Sequence, residues 1–504
     1  MRTRTWHEVL AANQERWFAP ALARLRSLHT EADPRLAGFF PSRMPVYIAR
    51  APARLDVMGG IADYNGSLVL PLPLARATWA MLQQQTAPRC DLATWRDGRW
   101  QFFSTELRPL VSGELREPEA LAAWFAVREA DRWAAHVVGV LQLCLRQAVS
   151  SGSVAIPGFR LLIDSTVPEG KGVASSASLQ VAGMAAISAG LGSDLLPAQQ
   201  AVACQWVENH IVGAPCGVMD QMTSACGRRD RLLKLRCQPG SIEGFLDVPP
   251  GYRFYGVDSG VMHAVSGADY ATVRTAAFMG YRMIADAAGL PARREGHLVR
   301  VDDARWGGYL ANLTPAEFAS RFAQGLPPVM SGSEFLARYH GTGDEATQVR
   351  GERRYPVRQA TAHPVYEHER VTRFADLLGR LIDEPSNAIE LGRLMYASHQ
   401  SYSACGLGSV ETDRLVELVA SAGPEQGLFG AKITGGGSGG TVAVFGTIEA
   451  EPRLREIVGR YEAESGHRAE VFSESGPGAA ETGVLMLDSS EFSPQSPVPS
   501  SPTP

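Results

Sequence analysis

The stretch Val167-Pro168-Glu169-Gly170-Lys171-Gly172-Val173-Ala174-Ser175-Ser176-Ala177-Ser178 lies between two segments of opposite character. Before it runs Phe159-Arg160-Leu161-Leu162-Ile163-Asp164, short, apolar and strand-like. After it comes Leu179-Gln180-Val181-Ala182-Gly183-Met184-Ala185-Ala186-Ile187, rich in helix formers and small residues. A strand, a Gly/Ser-rich loop and a helix start make an anion site, because the first-turn N–H groups of a helix have no intrahelical partner. Gly170 and Gly172 remove side chains where backbone must approach a phosphate. Ser175, Ser176 and Ser178 add hydroxyls for capping, phosphate or a metal. Taken alone, the stretch is equally a plain Gly/Ser turn. Its Gly-Lys-Gly order is not a Walker A, which needs Gly-Lys-Ser/Thr. No protein-kinase catalytic-loop pattern occurs in the sequence either.

Working outward, residues 44–50 read as a strand. It leads into Ala51-Pro52-Ala53-Arg54-Leu55-Asp56-Val57-Met58-Gly59-Gly60-Ile61-Ala62-Asp63-Tyr64-Asn65-Gly66, with a second strand at 67–74 after the Asn-Gly turn. Residues 76–104 read as hairpins turning at Asp97-Gly98, and 130–146 as a helix. Residues 5–30 carry apolar residues at helical spacing. A helix over 196–212 ends at Gly213-Ala214-Pro215-Cys216-Gly217-Val218-Met219-Asp220-Gln221, a Gly/Pro loop holding one acid. Strands follow at 231–235 and 253–257, and residues 377–400 read as one helix. Gly435-Gly436-Gly437-Ser438-Gly439-Gly440 is a second glycine loop, feeding a strand at 441–445. Residues 281–370 are weakly patterned, and 488–504 form a Ser/Pro tail expected to be disordered.

A chain of 504 residues exceeds one ordinary core. The division expected is a helical extension at 1–44, lobes at 45–245 and 246–487, and the tail. The net charge of −5 provides no basic field for nucleic acid, so an anionic ligand must be held by local groups. Seven scattered cysteines without CxxC pairs point to reduced thiols rather than zinc or disulfides. The N-terminal residues lack a signal-peptide core, and no run of about 18 apolar residues suggests a membrane span. A cytoplasmic protein without nucleic-acid or membrane partners is expected; the pattern sets no oligomeric state.

Three segments together, 51–66, the phosphate loop and Gly430–Gly440, resemble the GHMP small-molecule kinases in order and separation. Within that family the acid-bearing loop 213–221 and the segment from His263 to Tyr270, with Val273-Arg274, resemble the galactokinase branch. Residues 54–64, 208–227 and 401–409 look like the arabinose kinases of that branch. The resemblance spans roughly residues 45 to 487. It implies an α/β (α+β) fold of two lobes: an N-terminal ribosomal-protein-S5-like lobe and a C-terminal ferredoxin-like lobe, with the site between them. It also implies ATP and Mg²⁺ as cofactors and a small-molecule sugar as partner.

Matched residue by residue, Asp220 is implied as the acid that orients and deprotonates the acceptor hydroxyl, with Arg54 beside it. Glu208 and Ser176 match the magnesium pair. Gly170, Lys171, Gly172, Val173, Ala174, Ser175, Ser176 and Ser178, with Gly436 and Gly437 of the second glycine loop, match the ATP-phosphate loops. Lys171 points either to a phosphate or to water. Ala174 stands where galactokinases usually carry a serine, which removes one hydroxyl. Trp133 matches an aromatic near adenine, with core packing as the competing reading. Asp63, Gly217 and Tyr270 match sugar-binding positions. Gly60 and Ile61 stand where galactokinases carry a glutamate and a histidine, that glutamate contacting the 6-hydroxyl of galactose. L-Arabinopyranose has the galactose ring stereochemistry and lacks C6, so L-arabinose is the expected substrate and β-L-arabinose 1-phosphate plus ADP the expected products. Rejecting galactose needs filled volume, for which Ile61, Met58 and Met262 are candidates. Galactokinase activity and a non-catalytic sugar/ATP-binding regulator are the competing readings.

Overall fold

The computed structural model describes residues 1–40, 44–150, 157–262 and 268–488. The Ser/Pro tail from 489 onward, and residues 263–267 of the tyrosine-bearing segment, lie outside the described residues.

The first sheet runs in the spatial order Thr3–Thr5, Val484–Leu487, Val46–Met58, Leu68–Gln85, Gly158–Ser165, Arg89–Arg96 and Arg99–Glu106. Its two long strands exceed the expected 44–50 and 67–74 because Pro52, Pro71 and Pro73 do not stop them. Register shifts between Pro52 and Arg54 and between Asp56 and Met58 absorb the missing donors. The helices Arg132–Ser150, Ser175–Gly190, Pro197–Val207 and Met219–Cys226 bury one face. The other face is covered by the N-terminal residues: Val9, Phe18, Ala21, Leu25 and Leu28 pack on Ile48, Trp79, Met81, Leu162 and Leu485. Each buried Leu or Phe of that strip contributes about 1.5–3 kcal/mol.

Two expected boundaries shift. The opening segment is not wholly helical, because Thr3–Thr5 pairs in parallel with Val484–Leu487. Val484–Leu487 in turn pairs with Val46–Ala49, so the last strand returns to the first sheet and does not close a second lobe at 487.

The second sheet is antiparallel, in the order Leu428–Ile433, Thr441–Thr447, Tyr252–Asp258 and Val471–Phe472. The helices Val410–Ala422 and Glu451–Ser465 cover one face. The helices Val357–Gly379 and Asn387–Ala404 pack with Phe254 and Phe445, and with Leu55 and Leu72 of the first sheet, into a core joining the two halves. The single helix expected over 377–400 is therefore two. The break falls at residues 380–386, where Pro385 has no N–H to donate and disfavours helix at the residue before it. The weakly patterned region folds into short ribbons and helices. Its Trp306, Leu310, Phe318, Phe322 and Phe335 share a core with Ile61 and Tyr64.

Candidate active site

The bulge after Pro52 frees the Arg54 amide from the ladder, and it donates to the carbonyl of Val173 at 3.0 Å. This fixes the Arg54 side chain against the phosphate loop. Arg54 Nη1 donates to the Gly172 carbonyl at 2.6 Å, while Nε and Nη2 donate to the two oxygens of Asp220 at 2.8 and 2.9 Å. Such a forked pair is the strongest arginine–carboxylate geometry. Burial alone would depress the guanidinium, but attraction from Asp220 and Asp56 outweighs it and holds the group above its ordinary value. Asp220 lies in the first turn of Met219–Cys226 and keeps 23% of its side chain exposed, whereas Arg54 keeps 4%. The carboxylate therefore stays partly accessible while its position is fixed by the buried guanidinium.

The phosphate loop has φ of +68° at Gly170, +71° at Gly172 and +63° at Ala174. Ala174 caps Ser175–Gly190 with no side-chain bond, so the first-turn N–H groups stay open to an anion. Ser175 and Ser176 are partly exposed at that end. Three expected loop ligands are otherwise engaged. Ser178 is fully buried; its hydroxyl donates to the Ala51 carbonyl at 2.8 Å and meets the Thr78 hydroxyl, Oγ to Oγ1, at 2.9 Å, tying the helix to the sheet. Val173 is buried and offers its carbonyl to Arg54. Lys171 is paired with an acid of the second sheet, its Nζ 3.1 Å from Asp258 Oδ2. The second glycine loop packs backbone to backbone on the first. A Cβ on Gly435 would come within 2.8 Å of the Gly172 carbonyl, and one on Gly437 within 2.7 Å of Leu407. Close packing explains Gly437; Gly436 is partly exposed. Trp133 is 8% exposed within the core of the first lobe, which leaves little surface for a base to stack on.

Glu208 opens a single π turn, Glu208–Val212, that extends the preceding helix. Burial pushes its carboxyl up to about 7 and the charge of Asp220 adds to this, against hydrogen bonds from Ser176, Gln180 and Gln221. A buried carboxylate beside a serine hydroxyl, with no cationic side chain bonded to it among the described residues, is an oxygen donor pair suited to a hard divalent cation.

Asp63 lies in the turn Gly60–Asn65. Burial raises its carboxyl to about 7, with Asp220 adding and Arg274 opposing. Gly217 must lack a side chain, because a Cβ there would fall 2.0 Å from Asp63 Oδ2. Tyr270 meets the ring of Tyr64 edge-on at 5.7 Å. The turn is held by three consecutive amides: Gly59 N–H on Glu367, Gly60 N–H on Asp56, and Ile61 N–H on the Tyr402 hydroxyl at 2.8 Å. Ile61 itself is 2% exposed in an apolar core, so it contributes backbone and does not line a pocket. Met58 is fully buried, and Met262 lies exposed beside Gly170. The volume at position 60 is filled by Tyr402, since a Cβ on Gly60 would sit 1.6 Å from its hydroxyl.

Lys432 and Asp56 form a fully buried pair at 2.9 Å beneath that turn. One lysine inside the apolar strand Leu428–Ile433 was the available signal for it. Lys432→Met removes the ion-pair partner of the buried Asp56 and should cost about 3–5 kcal/mol. A urea midpoint equivalent to less than about 1 kcal/mol of loss would contradict this role.

Comparison with known proteins agrees with the geometry. The galactokinase galactose-binding signature matches residues 38–84, the GHMP kinases N terminal domain 135–228, and the GHMP kinases C terminal domain 378–462. L-Arabinokinase of Arabidopsis thaliana is 39% identical over 93% of this chain, which spans 50% of that protein's length. A galactokinase of Chloroflexus aggregans is 30% identical over 81% of this chain and 85% of its own. Lactococcus lactis galactokinase, solved with galactose, superposes with a TM-score of 0.64 at 19% identity, covering 90% of this chain and 98% of that one, and so shares its fold. With the turn of Asp63, the loop of Asp220 and the two stacked glycine loops falling in those matched regions, the chain belongs to the GHMP kinase family, on its galactokinase/arabinokinase-like branch.

Proposed function

We propose that the protein transfers the γ-phosphoryl group of ATP to the anomeric hydroxyl of L-arabinose, giving β-L-arabinose 1-phosphate and ADP. The observation that carries this is the filled position 60, where Tyr402 replaces any side chain that would reach towards a C6 hydroxymethyl group. The name of the plant L-arabinokinase, 39% identical, points the same way. Galactose remains the second reading, favoured by the galactose-binding signature at residues 38–84.

Phosphoryl transfer is mainly positioning and charge stabilisation. Asp220 orients the acceptor hydroxyl and takes its proton as the oxygen–phosphorus bond forms and ADP departs. Arg54 joins that acid to the phosphate loop through Gly172, so acceptor and donor sit on one rigid frame. The open N–H groups of Ser175–Gly190 receive the phosphates. Ser176 and Glu208 would hold Mg²⁺, which supplies charge neutralisation on the phosphates when bound. Asp63, Tyr270 and the Gly217 backbone bind ring hydroxyls. The seven free thiols suit a reducing compartment, and we place the protein in the cytoplasm.

Asp63 sets a pH dependence. Its carboxyl, raised to about 7, is protonated below that pH and ionised above it. The ionised form accepts hydroxyls, so kcat/KM for the sugar should fall as pH drops through about 7, and Asp63→Asn should flatten that limb. Glu208 is raised to about 7 too, so the comparison is made at saturating Mg²⁺, which would hold Glu208 ionised; an unchanged acid limb in the variant there would refute the assignment. The function itself is tested by product analysis: phosphate on the anomeric oxygen abolishes the reducing end, whereas phosphate elsewhere leaves it and overturns the reading.

A further inference from the structure

Arg274 stands one turn after Tyr270 on the helix Ala268–Ala287. Its Nε and Nη2 donate to Asp344 at 2.9 and 2.7 Å, and the two side chains are 7% and 3% exposed. Asp344 is held in turn by the Thr347 hydroxyl at 2.6 Å and the Ala346 amide at 3.3 Å. The guanidinium lies over Tyr64, 5.3 Å from its centroid, and 5.7 Å from that of Phe278. Tyr64 follows Asp63 in sequence and meets Tyr270 edge-on, so one ring gathers all three polar residues.

Two atoms in this group lack partners: Arg274 Nη1, a donor, and Asp63 Oδ1, an acceptor, both buried. Buried polar atoms are nearly always bonded, and an orphan needs an explanation. A hydroxyl donates one hydrogen and accepts others, so a single hydroxyl within reach of both would satisfy both. The charge of Arg274 also bears on the titration of Asp63, Tyr270 and Cys216, in keeping with their proximity.

We propose that Arg274 is a sugar-binding residue, donating Nη1 to a ring hydroxyl that Asp63 accepts, and that residues 290–356 serve to hold it through Asp344. The inference rests on the sugar-kinase reading above. It gives the weakly patterned region a purpose: two of the three guanidinium nitrogens are engaged by Asp344, which leaves Nη1 for substrate.

The test measures sugar and Mg-ATP kinetics for the intact protein, Arg274→Lys and Asp344→Asn, with nucleotide binding as a check of folding. Lysine keeps the charge but has no fork. Arg274→Lys should lower kcat/KM for the sugar about 100-fold, with KM for Mg-ATP within about threefold. Asp344→Asn, nearly isosteric, should raise the sugar KM about five- to tenfold and spare ATP. If Arg274→Lys does not fold, the Asp344→Asn split decides. Sugar and ATP parameters falling together, or a sugar KM unmoved in both variants, would overturn the role of Arg274 while leaving the kinase reading intact. An unaltered protein that neither binds nor phosphorylates L-arabinose or D-galactose overturns both.

Discussion

Asp220→Asn should lower kcat by about 10²–10⁴-fold, with KM for Mg-ATP changed little. Asparagine keeps the size of the side chain and loses both the charge and the second acceptor oxygen. Arg54 then has one oxygen where it had two, at 2.8 and 2.9 Å. The hydroxyl to be phosphorylated loses its proton acceptor. The phosphate loop keeps Arg54 through the Gly172 carbonyl and the Val173 contact, so nucleotide binding survives. That separation of effects identifies Asp220 as a group acting in the transition state and not in ground-state binding. Steady-state kinetics with the sugar saturating provide the measurement. A kcat within about tenfold of the unaltered protein would show that another group moves the proton.

Gly60→Glu, the change towards the galactokinase pattern, should fail as a single substitution. The new Cβ would lie 1.6 Å from the Tyr402 hydroxyl and 2.8 Å from Asp56 Oδ2, at a φ of +44°. Tyr402 cannot retreat cheaply. It is fully buried, donates to the Gly435 carbonyl at 3.2 Å, accepts from Ile61, and lies under Lys432. Overpacking of this kind costs about 3 kcal/mol or more and displaces the sugar turn. Sugar kcat/KM should fall at least about 100-fold for arabinose and galactose alike. Pairing it with Tyr402→Leu removes the clashing hydroxyl, and the pair should regain stability and move preference towards galactose. Thermal melts and the two kcat/KM values check this. A stable single variant with arabinose turnover intact would mean that position 60 does not face the site in the way described.

The parts legible in the sequence were those whose chemistry is local. The phosphate loop could be read because its glycines, serines and following helix are contiguous. Arg54 and Asp220 could be marked as partners only through the family resemblance, since 166 residues separate them. The pairs that secure the site were not legible, for the same reason. Lys432 and Asp56 are 376 residues apart, and Arg274 and Asp344 are 70 apart. Ser178 and Ile61 sit inside stretches that the family models match, yet face the interior. A motif fixes the path of the backbone, while the choice between cleft and core depends on neighbours from other segments. The helix break at 380–386 is hidden in the sequence because apolar spacing resumes after it. The covering role of residues 1–40 emerges only once the sheet they lie on exists.

The most direct measurement is ADP release from Mg-ATP with L-arabinose, with D-galactose and with no sugar, using the intact protein. Release that depends on arabinose, with galactose poor, is the predicted result and follows from the Tyr402-filled space at Gly60. Galactose-dependent release with arabinose poor would contradict that account of the sugar site.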